Sequence, residues 1–561
     1  MKTLKASIIF AFYMHGYTLR SDALKFLQEQ LEILSPPEQQ ADIDKILNHI
    51  VGQNLTSPLI EKSVVEAAYK GLHSSTADDS VLFNVCDAFS LIRFTFNADL
   101  KKFMPWSSLH EKSVALHGHA NSKADMLIER FRTVHQRTAR HKLFAAPIVL
   151  SDARQSSTYS LRAIEHLLGS SSKEENVIVL GILTQLKEGQ FFLEDPTGVV
   201  RVNLKQAVYK GGLFTENNIV LAEGFYEDKI FYVTAMGFPP SETADITLSH
   251  FPNLCVTPYA SMNSHRLSTN LKHAEEANTD AMFVFLSDVW LDQLQVMQKL
   301  HILFAGYSLM PPTCFVFIGN FLSLPIIGSQ SKIFEDSFSQ LGTMISEFPT
   351  LMENSQFIFI PGPNDPGLPH ILPRPAIPPS FLGDFKKKVP KAIFTSNPCH
   401  IQYCTQDIVV FREDIISKMC RNSIYTPWEH EEKVDIPSLF VKTAIANAHL
   451  LPLPLNVAPV YWEYDHALSL YPLPDVVVCA DKHDPYTVTS SDCIFFNPVC
   501  ISKFEFIYIY IKFQFNMENP NLSLVENSVK VVYEVVFMGH SYENSYYEFT
   551  NFRKIIVYEK L

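Results

Sequence analysis

The chain has 561 residues, 47% hydrophobic and 19% charged, which excludes a disordered or fibrous protein and predicts roughly three or four well-cored domains. A formal net charge of −13 excludes a chain that wraps DNA unaided, because phosphate binding needs a basic surface. Nine scattered cysteines, an odd number, exclude a disulfide framework and fit a reducing compartment.

In chain order, MKTLKASIIFAFYMHGYTL imitates a secretion signal but lacks a small-x-small cleavage site, and His15-Gly16 interrupts it early. Leu4, Ile8 and Phe12 share one helical face. Leu24, Leu27, Leu31 and Leu34 continue the apolar stripe in a second helix closed by Pro36-Pro37. Residues 42–51 and 59–69 supply two further short amphipathic helices. Residues 1–75 are therefore expected to form a helical domain whose stripe is its core. No other hydrophobic stretch reaches the roughly 18 residues of a membrane span.

Residues 76–170 read as a linker and a basic helical segment. The segment from Met126 to Phe144 carries Arg130, Arg132, Arg137, Arg140 and Lys142 against the single acid Glu129. Such a helix offers contacts to phosphate. A solvated face or an acidic protein neighbour suits the acidic whole better.

Residues 171–245 turn to short β-strands, NVIVLGILTQL, QFFLEDPTGVVRVNL, NIVLAEGFYED and KIFYVTAMGF, separated by turn residues. Five short strands suit a small barrel of OB type. Phe191, Phe192, Phe225, Tyr226, Phe231 and Tyr232 are candidates to stack on bases. The acids Glu188, Glu194, Asp195, Glu223, Glu227 and Asp228 surround them, which favours a packing role over direct DNA binding.

Residues 246–500 repeat one plan four times: a buried apolar strand that ends in a polar loop. Met282 to Leu286 ends at Ser287-Asp288-Val289-Trp290, and Thr313 to Ile318 at Gly319-Asn320. Gln356 to Ile360 ends at Pro361-Gly362-Pro363-Asn364-Asp365, and Asp475 to Cys479 at Ala480-Asp481-Lys482-His483. A polar group at the carboxyl end of such a strand points into the crevice where α/β sheets do chemistry. This outline resembles the calcineurin-like metallophosphoesterases, which hold two cations with D-x-H, G-D, G-N-H-D/E, a lone His and G-H-x-H. Here the set is eroded. Asp288 remains but its His position is Trp290, and the bridging carboxylate has become Asn320. Pro363 and Asn364 replace the Asn-His pair, His449 stands at the lone-His position, and the last motif keeps only His483, with Asp481 and Lys482 before it. Trp and Pro offer no donor atom, and an amide does not bridge two cations as a carboxylate does. Cys399 and Cys404 lack a metal-binding spacing and read as neutral thiols. Neither a metal nor another cofactor is expected.

The HQRTxRHxLF box, QLKEGxFFLEDPTG, FVFLSDVWLD, ILPRP, NPCxIQYCTQ, VFREDxxxKMCRN and PLPDxxxxADKxDP occur together and in order. From residue 1 to Pro498 the chain thus resembles the polymerase B-subunit family, in the form of the second-largest subunit of eukaryotic DNA polymerase epsilon. The resemblance implies a multidomain α+β protein: an AAA+ lid-like helical domain, an OB barrel and an inactivated phosphoesterase α/β sandwich. It also implies a nuclear, non-catalytic subunit in DNA replication and repair. The implied partners are the cysteine-rich, metal-binding C-terminal domain of the catalytic subunit, replicative helicase components and small histone-fold subunits, with DNA reached through the complex. Another reading stays open: a metal-dependent phosphodiesterase or nuclease with a reduced ligand set of Asp288, Asp365, His449 and His483.

The resemblance ends near residue 500. The alternating stretch VCISKFEFIYIYIKFQF and the tail to Leu561 read either as an extra edge hairpin or as translated non-coding sequence. Val499-Cys500 can be encoded by GTATGT, a splice-donor-like hexamer, which favours the second reading. No function is assigned to residues 501–561.

Overall fold

A computed structural model describes residues 2–14, 17–31, 43, 46–47, 59–60, 62, 64–66, 82–106, 115–145, 159–258, 265–278, 281–325, 330–367, 370–429, 434–498, 507–512, 532–538 and 551–557. Helices α1 (Lys2–Met14) and α2 (Ser21–Leu31) open the chain. Ile8, Phe12, Ala23, Leu27 and Leu31 share a buried core with Ile43, Ile46, Leu47, Ile60 and Val65, so the leucine stripe is core. Leu34 lies outside the described residues. One expected helix is corrected at its start. β2 (Leu59–Ile60) pairs in parallel with β1 (Thr18–Leu19), and helix resumes only within residues 62–66. The partner strand lies far away in sequence, where local periodicity cannot see it.

The stretch read as linker carries three strands: β3 (Phe83–Asp87), β4 (Phe94–Asn97) and β5 (Lys102–Pro105). β4 and β5 form a hairpin, whereas β3 joins a sheet completed three hundred residues later. Helix α3 (Ala120–Arg140) follows. The chain then closes a barrel from β7 (Glu174–Lys187), β8 (Gln190–Asp195), β9 (Gly198–Asn203), β11 (Ile219–Glu227) and β12 (Ile230–Gly237). β6 (Leu161–Arg162) and β10 (Val208–Tyr209) add to its margins, and pairing of β12 with β9 closes it. Tyr226 and Phe231 are 3% and 0% exposed inside it, so they are not available for stacking. Alternation along a strand sends them inward and leaves Phe225 and Tyr232 outside, stacked at 4.9 Å.

Two sheets make the remaining body. β13 (Met282–Ser287), β14 (Cys314–Ile318), β15 (Gln356–Ile360) and β16 (Ile393–Phe394) run parallel in the first. β22 (Ile507–Lys512), β23 (Val532–Met538) and β24 (Asn551–Val557) extend that sheet antiparallel from β13. The second has the order β20 (Thr487–Ser490), β21 (Cys493–Phe496), β19 (Val476–Ala480), β18 (Gln406–Arg412), β17 (Cys399–Tyr403), β3. Phe283, Phe285, Val316 and Ile358 face Ile401, Val410, Val476 and Val478 between the sheets. Val284, Phe315 and Phe359 point the other way onto helical Phe304, Phe334 and Phe338. Likewise Val409, Phe411 and Val477 point onto helical Phe440 and Val441. Both faces of β13, β14, β15, β18 and β19 are buried, which is why these strands are apolar runs.

Helix α3 joins barrel to sandwich. Its Phe131 and Val134 pack with barrel residues Leu180, Ile182 and Ile219 and with Ala448 and Tyr471. Three of its arginines are engaged within the chain. Arg130 grips Asp465 with two hydrogen bonds of 2.8 and 2.5 Å. Arg137 is buried and donates to the carbonyls of Ile445 and Ala446, at the carboxyl end of the helix Ile436–Ala446, where a cation is favoured. Arg140 donates to both oxygens of Glu242 at 3.0 Å. Only Arg132 and Lys142 of the five are exposed. Arg130 and Arg140 thus meet carboxylates of the same chain.

Arg130→Ala is expected to cost roughly 3 kcal/mol, because it leaves a buried carboxylate without its main cation. Arg132→Ala is expected to stay within about 0.5 kcal/mol. Equal thermal shifts for the two variants would remove α3 as the joint.

Candidate functional site

Three loops converge at the carboxyl ends of β13, β14 and β15. Asp288 is 4% exposed with φ 49°, a left-handed conformation that an aspartate tolerates better than most residues. Its Oδ1 accepts hydrogen bonds from Asn320 N at 3.0 Å and Nδ2 at 3.2 Å. Asn320 Oδ1 accepts in turn from Asn364 N at 2.9 Å. Asp365 accepts from Phe321 N at 2.8 Å and Gly362 N at 2.7 Å. The glycines are needed for this approach. A Cβ on Gly319 would fall 1.9 Å from Asp365 Oδ2, and one on Gly362 2.6 Å from Asn320 Oδ1.

The cation in this crevice is a side chain. Arg412 ends β18 and is fully buried. Its Nη2 lies 3.0 and 3.3 Å from the two oxygens of Asp288. Nε donates to Gly319 O at 2.9 Å, and Nη1 to Asp414 Oδ1 at 2.8 Å and Ala480 O at 3.2 Å. Burial opposes the charge, but Asp288 and Asp414 outweigh it and hold the guanidinium protonated above its usual range. Asp414 also meets Lys482 Nζ at 3.0 Å. The order Asp288–Arg412–Asp414–Lys482 links the first sheet to the second, and the ammonium expected beside the site is its outer end.

Two further expected positions lie at the end of β19. Asp481 is buried and accepts from Ile416 N and His483 N, both at 2.9 Å. His483 Nδ1 lies 3.1 Å from the Asp484 carbonyl. Trp290 packs against the helical side of the first sheet, and Pro363 is half-buried. His449 is engaged elsewhere: its Nδ1 accepts from Leu451 N at 2.9 Å and its Nε2 lies 3.3 Å from Asp465, the carboxylate that α3 grips. Burial and Arg130 lower its pKa. The expected positions therefore separate into a knot at Asp288, Asn320, Asn364 and Asp365, a loop at Asp481 and His483, and a distinct contact at His449. Among the described residues, no three His, Cys, Asp or Glu side chains form a group able to hold a metal ion.

Sequence reasoning missed Arg412 and Arg374. The signal for Arg412 was present, since it ends an apolar run as Asp288 does. Arg374 is 1% exposed, and its Nη1 and Nη2 have no hydrogen-bond partner among the described residues. Burial lowers its pKa, while Glu413 and Asp365 pull it back up.

Three family models match the chain. One, described as the B subunit of DNA polymerases alpha and epsilon, covers residues 283–488, and one described as DNA polymerase epsilon subunit 2-like, OB-fold domain, covers residues 120–240. A third, DNA polymerases epsilon N terminal, covers residues 1–72. Together they define a class, the B subunits of DNA polymerases alpha and epsilon, with an OB-fold barrel. The chain is 45% identical over 528 residues to DNA polymerase epsilon subunit 2 of Bos taurus, across 94% of this chain and 98% of that protein. It is 47% identical over 498 residues to that of Homo sapiens, across 88% and 94%. The match to that of Drosophila melanogaster is 35% over 514 residues, across 91% and 96%. The chain belongs to the DNA polymerase epsilon subunit 2 family, the non-catalytic accessory subunits of that replicative polymerase. A solved structure, TT1561 of Thermus thermophilus, covers 42% of this chain and 95% of its own at 13% identity. Its TM-score of 0.23 carries no argument.

Arg412→Lys is expected to destabilise the protein by about 2–3 kcal/mol, since an ammonium cannot reproduce the planar fork to two carboxylates and two carbonyls. Denaturant midpoints that match the wild type would show the fork to be dispensable.

Burial pushes the pKa of Asp365 up to about 7, against the pull of two backbone N–H groups and Arg374. The folded protein therefore binds more protons than the unfolded chain between about pH 4 and 7, and this group's contribution to stability falls as pH rises through that window. Asp365→Asn is expected to flatten that part of the stability–pH curve. An unchanged slope in the variant would contradict the assignment.

Proposed function

We propose that this chain is a structural subunit of a DNA polymerase epsilon complex in the nucleus, that it holds the C-terminal metal-binding domain of the catalytic subunit, and that its phosphoesterase-like crevice is catalytically inert. The observation that carries the inert crevice is the pairing of Asp288 with Arg412. The carboxylate that a two-metal hydrolase would turn toward a cation is bound to a guanidinium and to the amide that stands where a bridging carboxylate is needed. Asp365 is likewise spent on two backbone N–H groups, and His449 on Asp465. No described contact in the crevice favours a nuclease with a reduced ligand set.

The helical domain up to about residue 75, with its own core, is proposed to be an AAA+ lid-like module on the helicase side of the machinery. Small histone-fold subunits complete the proposed company, and DNA is reached through the complex.

Parallel pull-downs test this division. Deletion of residues 1–75 is expected to preserve capture of the catalytic subunit and to weaken helicase contact; the reverse pattern would overturn the roles. With the purified chain alone, manganese is expected to elicit no cleavage of single-stranded DNA. Cleavage lost on Asp288→Ala would sink the inert crevice.

A further inference from the structure

The barrel carries an aromatic pair that its core does not use. Phe225 and Tyr232 are cross-strand partners on β11 and β12, half-buried on the outer face. Their rings lie 4.9 Å apart and 8° from parallel. Tyr226 and Phe231, the next residues along, belong to the barrel core; the outer pair does not.

One cation already sits on this pair. Lys173 is exposed just ahead of β7, and its Nζ lies 4.9 Å from the centroid of the Phe225 ring, within the range of a cation–π contact. The same Nζ is 3.0 Å from Glu175 Oε1. The pKa of Lys173 is raised, first by Glu175 and to a lesser degree by Glu227. Close to the rings the surface is acidic. Strand alternation puts Glu223 and Glu227 on the same face as Phe225, two residues to either side, and both are exposed. Neither carboxylate has an ion-pair partner among the described residues. Asp228 follows at the turn, and the bases Lys229 and Arg201 bound this strip at the turn and on β9, beside Ile230.

We propose that this face of the barrel is a docking surface for a basic segment of a protein partner. A lysine or arginine of that segment takes the place of Lys173 over the rings, and neighbouring cations pair with Glu223 and Glu227. The ring faces attract the cation, and the unpaired carboxylates select a basic peptide over nucleic acid, whose phosphates they repel. Lys173 is then an internal placeholder that covers Phe225 until the partner arrives.

The test titrates the full chain into fluorescein-labelled oligolysine at about 0.15 M salt and reads fluorescence anisotropy, with labelled oligothymidine in a parallel arm. Phe225→Leu with Tyr232→Leu keeps apolar bulk but removes the ring faces, and is expected to weaken oligolysine binding about tenfold. Glu223→Gln with Glu227→Gln is expected to weaken it by a similar factor. The same charge change on the helix Gln330–Ser346, Glu335→Gln with Asp336→Asn, is expected to leave it within about twofold. Lys173→Gln is expected to tighten binding about threefold, and more than Lys332→Gln on that helix does. Absence of oligolysine binding, equal losses from the two acid pairs, or tighter binding of oligothymidine than of oligolysine overturns the proposal. So does a folded ring variant of unchanged affinity, or a Lys173→Gln affinity no tighter than that of Lys332→Gln. Should the ring variant fail to fold, as judged by circular dichroism, the comparison of the two acid pairs decides the matter.

Discussion

The pairing of Arg412 with Asp288 is the contact on which the two-sheet body depends. It spans the gap between the two sheets, and both of its side chains are buried. An isolated charge there would carry a penalty of several kcal/mol, so neither residue is stable without the other. Once both are present, the remaining donors of the guanidinium fix Gly319, Ala480 and Asp414, and the loops after β13, β14 and β15 have one arrangement in which all of them are satisfied. The amide of Asn320 fits this arrangement because it donates to Asp288 and accepts from Asn364 at once. An aspartate could accept only, and would set a second carboxylate against the first.

The same economy governs the helix Ala120–Arg140. Its sequence is basic enough to invite nucleic acid, yet three of its cations are consumed by a buried carboxylate, two helix-end carbonyls and Glu242. Barrel and sandwich are further tied by buried hydrogen bonds, from Leu213 N to Thr443 and from Ile219 N to Asn447. The charge pattern of this protein is thus spent largely on joining its own parts, which suits a scaffold.

Much of the fold was legible in the sequence. The strands Met282–Ser287, Cys314–Ile318 and Gln356–Ile360 were visible because burial on both faces forces unbroken apolar runs, and Asp288 because it ends one of them. What escaped depended on distance along the chain. β3 pairs with a strand about three hundred residues away, and Arg412 meets Asp288 across 124 positions. Local patterns also could not tell which barrel aromatics face inward, since Phe225, Tyr226, Phe231 and Tyr232 look alike until the register is known. The arginines of α3 read as a surface stripe for the same reason: their acids lie in other elements.

A double-mutant cycle on Asp288→Asn and Arg412→Met, followed by denaturant unfolding, reads the central contact most directly. Coupling of roughly 2–3 kcal/mol is expected, with the double variant more stable than the sum of the single losses allows. Losses that add to within about 0.5 kcal/mol would mean that the two residues do not depend on each other, and the account of the crevice as a built-in ion pair would fail.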